Sequence, residues 1–202
     1  MATSMEAVDL ASHGKRAHAL FIPFPVQGQI NPMMHLAKIL TNHDQNLYIT
    51  LINNYHYHTH LTSKLHGHRS PSGMEEELGR RGFSEETLVQ PNIGLVCVDD
   101  GLPSDFDWVT AQDSEDTTNM VLESCYVMSK NIKLFIKHLE ENETQCHTKV
   151  SFVVVGIFCG WAIDAMVDLG IPIVLFSTQA AVVLSIYFHI PLLISNGFFH
   201  EG

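Results

Sequence analysis

Short apolar runs separated by segments of helical periodicity leave few folds open to this chain. The runs lie at residues 18–22, 47–52, 93–98, 150–157 and 173–176. Between them, residues 32–41 set Met33, Leu36, Ala37 and Leu40 on one stripe. Residues 117–141 carry Val121, Cys125, Met128, Ile132, Phe135 and Leu139 at spacings of four and three, one clean amphipathic face. Strand and helix in alternation predict an α/β fold with a parallel sheet and helices on both faces. Local chemistry points the same way. Asn31 suits an N-cap, with Pro32 in the first helical position. Gly170 and Pro172 stop a helix at 161–169, and Asn196 and Gly197 stop one at 179–195. Residues 53–92 are too polar for core and are expected to form a long irregular connection holding at most a short helix. The expectation is a single Rossmann-like domain over residues 18–202, preceded by a flexible lead over residues 1–17.

Composition narrows the partners. The chain has 11 basic against 22 acidic residues, a net charge of −11, which argues against nucleic acid and against an anionic membrane surface. Its 4 cysteines, Cys97, Cys125, Cys146 and Cys159, form no Cys-x-x-Cys pair and suggest no disulfide framework. Residues 1–14 carry Glu6 and Asp9 and no apolar core of a secretory signal, so a cytoplasmic protein is expected. Residues 171–194 hold no Asp, Glu, Lys or Arg. Pro172, Ser177, Thr178, Gln179, His189 and Pro191 interrupt them, so they are read as a buried strand, a turn and a buried helix rather than a membrane span. His56, His58, His60, His66 and His68 crowd one segment, but no Cys or acidic residue stands at ligand spacing, and no metal is expected. Only Gly28 of a Gly-x-Gly-x-x-Gly fingerprint follows the first run, so neither NAD nor FAD nor another cofactor is expected.

The loop after the first run reads Pro23-Phe24-Pro25-Val26-Gln27-Gly28-Gln29-Ile30-Asn31-Pro32. Later come Ile52-Asn53-Asn54 with His58, the turn Asp100-Gly101-Leu102-Pro103, and Gly156-Ile157-Phe158-Cys159-Gly160-Trp161 with Asp164. In this order, over nearly the whole chain, these stretches resemble the N-terminal, acceptor-binding half of plant family 1 UDP-glycosyltransferases of the GT-B fold. In that family the first loop usually reads Pro-Phe-Pro-x-Gln-Gly-His-x-x-Pro, and its His removes a proton from the sugar-accepting hydroxyl. Gln29 stands at that position, and a carboxamide takes up no proton near neutral pH. The family's Asp, which orients that His, is replaced by Gly156. The Trp-x-Pro-Gln and His-Cys-Gly-Trp-Asn signatures of the family's nucleotide-sugar domain are not found in this sequence.

The resemblance implies an acceptor pocket lined by Phe24, Pro25, Gln27, Gly28, His58, Ile157, Phe158, Trp161, Ser177 and Thr178, with a small plant metabolite as ligand. If the pocket carries non-glycosyl chemistry such as cyclisation, isomerisation or condensation, Gln29, Asp100, Gln179 and His189 are the candidate catalytic residues. A protein that binds without transferring sugar, a repurposed enzyme and an inactive fragment all remain open readings. Apolar surface that a second domain would otherwise cover predicts a homo-oligomer or a partner enzyme.

Overall fold

The computed structural model describes residues 16–66, 74–103, 106, 115–142 and 149–198. Most of the expected N-terminal lead, together with His68, Cys146 and residues 199–202, lies outside them, as do the side chains of His60 and His66. The described chain runs β1 (Ala17–Ile22), α1 (Gln27–His43), β2 (Leu47–Asn53), α2 (Tyr55–His66), α3 (Met74–Arg81), β3 (Thr87–Gln90), β4 (Ile93–Cys97), α4 (Glu115–Glu141), β5 (Val150–Gly156), α5 (Gly160–Asp168), β6 (Ile173–Phe176) and α6 (Ala181–Ser195).

The strands form one 6-stranded sheet in the order β3-β4-β2-β1-β5-β6. The pairs β1–β2, β1–β5, β2–β4 and β5–β6 are parallel. Alternation along each strand feeds opposite faces of this sheet. Leu20, Ile22, Ile52, Val96 and Val155 pack with Ile132, Phe135, Ile136 and Leu139 of α4 and Ala162 and Met166 of α5. Ala19, Phe21, Ile49, Leu51, Leu95 and Val154 pack with Met33 and Ala37 of α1. The α/β fold expected from the sequence is therefore present, with one addition: β3 joins the edge antiparallel to β4.

Three local expectations are corrected. First, α1 starts at Gln27, so Asn31 is not its cap and Pro32 lies inside the helix. The backbone carbonyl of Val26 accepts from the Gln29 and Ile30 amides at 2.9 and 3.0 Å. The residue ahead of the helix is thus Val26, which has no side chain able to cap and leaves no signal in the sequence.

Second, residues 53–92 are not an irregular connection; they hold α2, α3 and β3. Asn54 caps α2, its Oδ1 accepting the Tyr57 amide at 3.2 Å. The α3 helix has Glu75, Glu76 and Glu77 in its first turn and Arg80 and Arg81 in its last, the order that suits its dipole. The β3 edge is tied down through Glu86, which accepts from the Tyr48 hydroxyl at 2.7 Å and the Thr50 hydroxyl at 2.6 Å. His18 Nε2 lies 2.9 Å from the same Thr50 hydroxyl. Glu86 crosses directly over Gly94, where any Cβ would collide with its carboxylate.

Third, residues 171–194 form the expected strand and helix, but beyond Ile171 they are not buried. Val174 and Leu175 are 51% and 57% exposed, and α6 has no buried residue. Hydropathy reports what a segment needs covered, and β6, last in the sheet, has no further strand beside it among the described residues. No helix among the described residues is long and apolar enough to cross a membrane.

Candidate ligand-binding cleft

The strand order places β2 and β4 on one side of β1 and β5 and β6 on the other. Such a reversal opens a crevice beyond the carboxyl ends of the two central strands, where open α/β sheets bind ligands. Here the loop after β1 supplies Phe24, Val26 and Gln29, and the turn after β5 supplies Phe158, Gly160, Trp161 and Asp164. The N-terminal part of α4 overhangs them with Val121, Leu122, Cys125 and Tyr126. Together they enclose an open cleft of about 710 Å³, within the span usual for small-molecule sites.

The α4 stripe read from the sequence therefore has two parts. Met128, Ile132, Phe135 and Leu139 are buried in the core. Cys125 and Val121, one and two turns earlier, line the cleft instead.

Two polar groups in this apolar setting lack protein partners. Gln29 is 5% exposed. Its Nε2 donates to the Thr178 hydroxyl at 2.6 Å, while its Oε1 is buried and unmatched. The indole N–H of Trp161 is also buried and unmatched. A buried polar atom left without a partner costs about 1–3 kcal/mol. Both residues belong to the cleft wall, one holding an unmatched acceptor and the other an unmatched donor beneath its surface. Asp164 adds an exposed carboxylate to the wall.

Gly156 closes β5 beside the loop after β1. A Cβ built there meets the Phe24 backbone nitrogen at 3.4 Å and the Ile22 carbonyl oxygen at 3.7 Å, which is ordinary contact. Close packing therefore does not require the glycine.

Of the residues expected to line the pocket, the structure brings together Phe24, Phe158 and Trp161, with Gln29 among them, and holds Thr178 against Gln29. Pro25, Ile157 and Ser177 on the adjoining loops and Gln27 and Gly28 at the start of α1 do not line the cleft. Gln179 follows Ser177, whose hydroxyl accepts its backbone amide at 3.2 Å. His189 lies on exposed α6, with Nδ1 donating to the Ser185 carbonyl at 2.7 Å, away from the cleft.

His58 and Asp100 belong to a separate buried group. Asn54 Nδ2 donates to Asp100 Oδ2 at 2.9 Å, and Asp100 Oδ1 accepts the Leu102 amide at 3.1 Å. His58 Nδ1 donates to Asn53 Oδ1 at 3.1 Å. Burial lowers the His58 pKa to about 4 and raises that of Asp100, so the ring is neutral at pH 7. The Cys97 thiol beside them is pushed well up by burial and by the two aspartates. This group fastens α2 to the turn after β4. Sequence reasoning missed Val26, Val121, Leu122, Cys125, Tyr126, Gly160 and Asp164 as cleft residues. The apolar Leu122 and Tyr126, four apart and just off the core stripe, were the available signal.

No protein-family model matches the chain. It is 30% identical over 194 residues to a 7-deoxyloganetin glucosyltransferase of Catharanthus roseus, a match covering 96% of this chain and 35% of that protein. It is 29% identical over 185 residues to UDP-glycosyltransferase 86A2 of Arabidopsis thaliana, covering 90% and 33%. The chain thus spans about a third of the length of the curated relatives it matches. Among solved structures, a UDP-glucose: anthocyanidin 3-O-glucosyltransferase in complex with UDP superposes with a TM-score of 0.60 at 17% identity, covering 93% of this chain and 35% of the other. A UDP-glucosyltransferase from Polygonum tinctorium capable of glucosylating indoxyl gives 0.56 at 19%, covering 89% and 33%. These likenesses agree on the GT-B type of fold.

Proposed function

For a chain that resembles an N-terminal fragment of plant family 1 UDP-glycosyltransferases, we propose that the cleft binds a small plant metabolite and that this chain does not transfer sugar to it. The observation that carries this reading is an apolar cleft two of whose wall residues, Gln29 and Trp161, each hold an unmatched polar atom, Oε1 and Nε1. A ligand that fits has a flat or compact apolar body, a hydroxyl for Gln29 and an acceptor for Trp161. Binding through such a site is driven by covering Phe24, Leu122, Tyr126 and Phe158, while the polar pair fixes orientation.

Sugar transfer is set aside on chemical grounds. An amide at position 29 cannot accept the hydroxyl proton, and losing a positioned base costs about 10²–10⁴-fold in rate. Gly156 offers no carboxylate to orient a base. The setting of this binding is the cytoplasm, in plant specialised metabolism.

The test uses 7-deoxyloganetin, named for one relative, and indoxyl, named for one structural neighbour. Each is titrated against the purified chain by calorimetry, and then incubated with and without UDP-glucose and followed by mass spectrometry. Saturable binding that Gln29→Leu weakens about 3- to 10-fold is expected, the loss of one ordinary hydrogen bond. A hexose mass gain with UDP-glucose would overturn the reading, and so would binding indifferent to Gln29→Leu. A new product formed without UDP-glucose would replace it with an enzyme of non-glycosyl chemistry.

A further inference from the structure

Charge on the cleft wall has one sign. Among the described residues the wall holds the rings of Phe24, Tyr126, Phe158 and Trp161 and a single charged side chain, Asp164. No Lys, Arg or His is part of it. Asp164 is exposed, and among the described residues no hydrogen bond or ion pair engages its carboxylate. Asp168, one turn further along α5, is by contrast taken by Lys133 of α4 at 2.6 Å. The helix that overhangs the cleft adds to the same sign, since α4 carries Glu115, Asp116 and Glu123 before its first basic residue, Lys130. Burial pushes the Cys125 thiol up, so it stays neutral and adds no charge at pH 7.

Resting on the binding reading above, we propose that the cleft selects a positively charged ligand, a protonated or quaternary amine on an apolar body, with its cation beside Asp164 and its body among the rings. An exposed ion pair alone is worth little. The rings supply a second attraction, because the faces of aromatic side chains draw a cation lying within about 6 Å. The net charge of −11 gives the approach the same sign. A neutral ligand of equal shape leaves the carboxylate to water and gains nothing from it.

An anion fits less well. The N-termini of α1 and α5 border the cleft with roughly half a positive charge each, an effect that fades within one turn. The Gln29 and Ala162 amides there already donate to the Val26 and Cys159 carbonyls, both at 2.9 Å. No cationic side chain among the described residues of the wall backs them, and Asp164 opposes them.

The experiment titrates the full chain by calorimetry at pH 7 with three probes that share an indole body. Tryptamine is a cation, tryptophol is uncharged and indole-3-acetate is an anion. Asp164→Asn is measured beside the native chain. The replaced side chain is exposed, so the variant keeps the fold, checked by far-ultraviolet circular dichroism. Tryptamine should bind roughly 3- to 10-fold more tightly than tryptophol, with indole-3-acetate the weakest. Asp164→Asn should weaken tryptamine roughly 2- to 5-fold and leave tryptophol unmoved. Equal affinities for tryptamine and tryptophol would overturn the proposal while leaving the cleft a small-molecule site. Tightest binding of the anion, or a loss in Asp164→Asn shared equally by all three probes, would do the same. No heat from any probe, in a chain that does bind 7-deoxyloganetin or indoxyl, would also overturn it. No heat from any of these compounds would remove the binding reading itself, and this proposal with it.

Discussion

At the scale of single residues, the polar groups of this domain divide into those that are satisfied and those that wait for a partner. The Asn54–Asp100 pair belongs to the first kind, and His58 is held against Asn53 Oδ1. Their burial has a consequence for acid stability. His58 has a folded pKa of about 4 against 6.5 in the open chain. Its contribution is fully present above pH 6.5 and is lost as the pH falls toward 4, because the unfolded state takes up the proton first. The lost stability amounts to about 3 kcal/mol across that window, at ~1.4 kcal/mol per unit. Asp100 titrates with the opposite sign, since its raised pKa favours the folded state as it protonates. Comparing urea unfolding of the native chain and His58→Gln at pH 7 and pH 4.5 isolates the histidine. The variant should lose markedly less stability on acidification, and equal slopes would show that the ring is not held neutral. Gln29 and Trp161 carry the second kind, and Gln29→Leu should move ligand affinity.

At the scale of elements, two strand glycines predict opposite outcomes. Gly94 lies under Glu86, which holds the hydroxyls of Tyr48 and Thr50. Gly94→Ala should displace that carboxylate and cost about 1–3 kcal/mol, since buried hydroxyls lose their acceptor. Gly156 has room for a methyl group, so Gly156→Ala should be neutral or stabilising by up to about 1 kcal/mol through the unfolded chain. Chemical denaturation of both variants checks the pair. Ile132→Ala, at a position wholly shielded from water, should cost about 2–5 kcal/mol. The sequence made legible what periodicity encodes: the α4 stripe, the core strands and the sheet they build. It concealed the start of α1, because Val26 closes that helix with backbone alone. It also concealed α2, diluted by His and Thr, and β3, only four residues long with Thr and Gln at its ends. Within the site, Phe24, Gln29, Phe158 and Trp161 were reachable through the family resemblance, whose matching stretches follow β1 and β5. Leu122 and Tyr126 left only the fainter signal of two apolar residues off the core stripe, and the overhang of α4 turns them toward the cleft.

At the scale of the whole molecule, the acidic surface sets which solutes approach the cleft. With a net charge of −11, a cation moves toward the protein down the potential and an anion against it. Salt screens this field over about 10 Å at 0.1 M and about 3 Å at 1 M. The preference for tryptamine over indole-3-acetate should therefore narrow between about 20 and 500 mM sodium chloride, while tryptophol binding stays constant. Calorimetry at the two salt concentrations checks this, and a ratio indifferent to salt would show that charge does not set the preference. The misjudged burial of residues 171–194 belongs to this scale too, because only the assembled sheet reveals that β6 lies last. The α4 helix carries a different consequence. Its buried length holds the core while Val121, Leu122, Cys125 and Tyr126 face the cleft. Those positions can change with little effect on folding, so a lineage inheriting this scaffold is free to wander among ligands by altering one half of a helix whose other half stays constant.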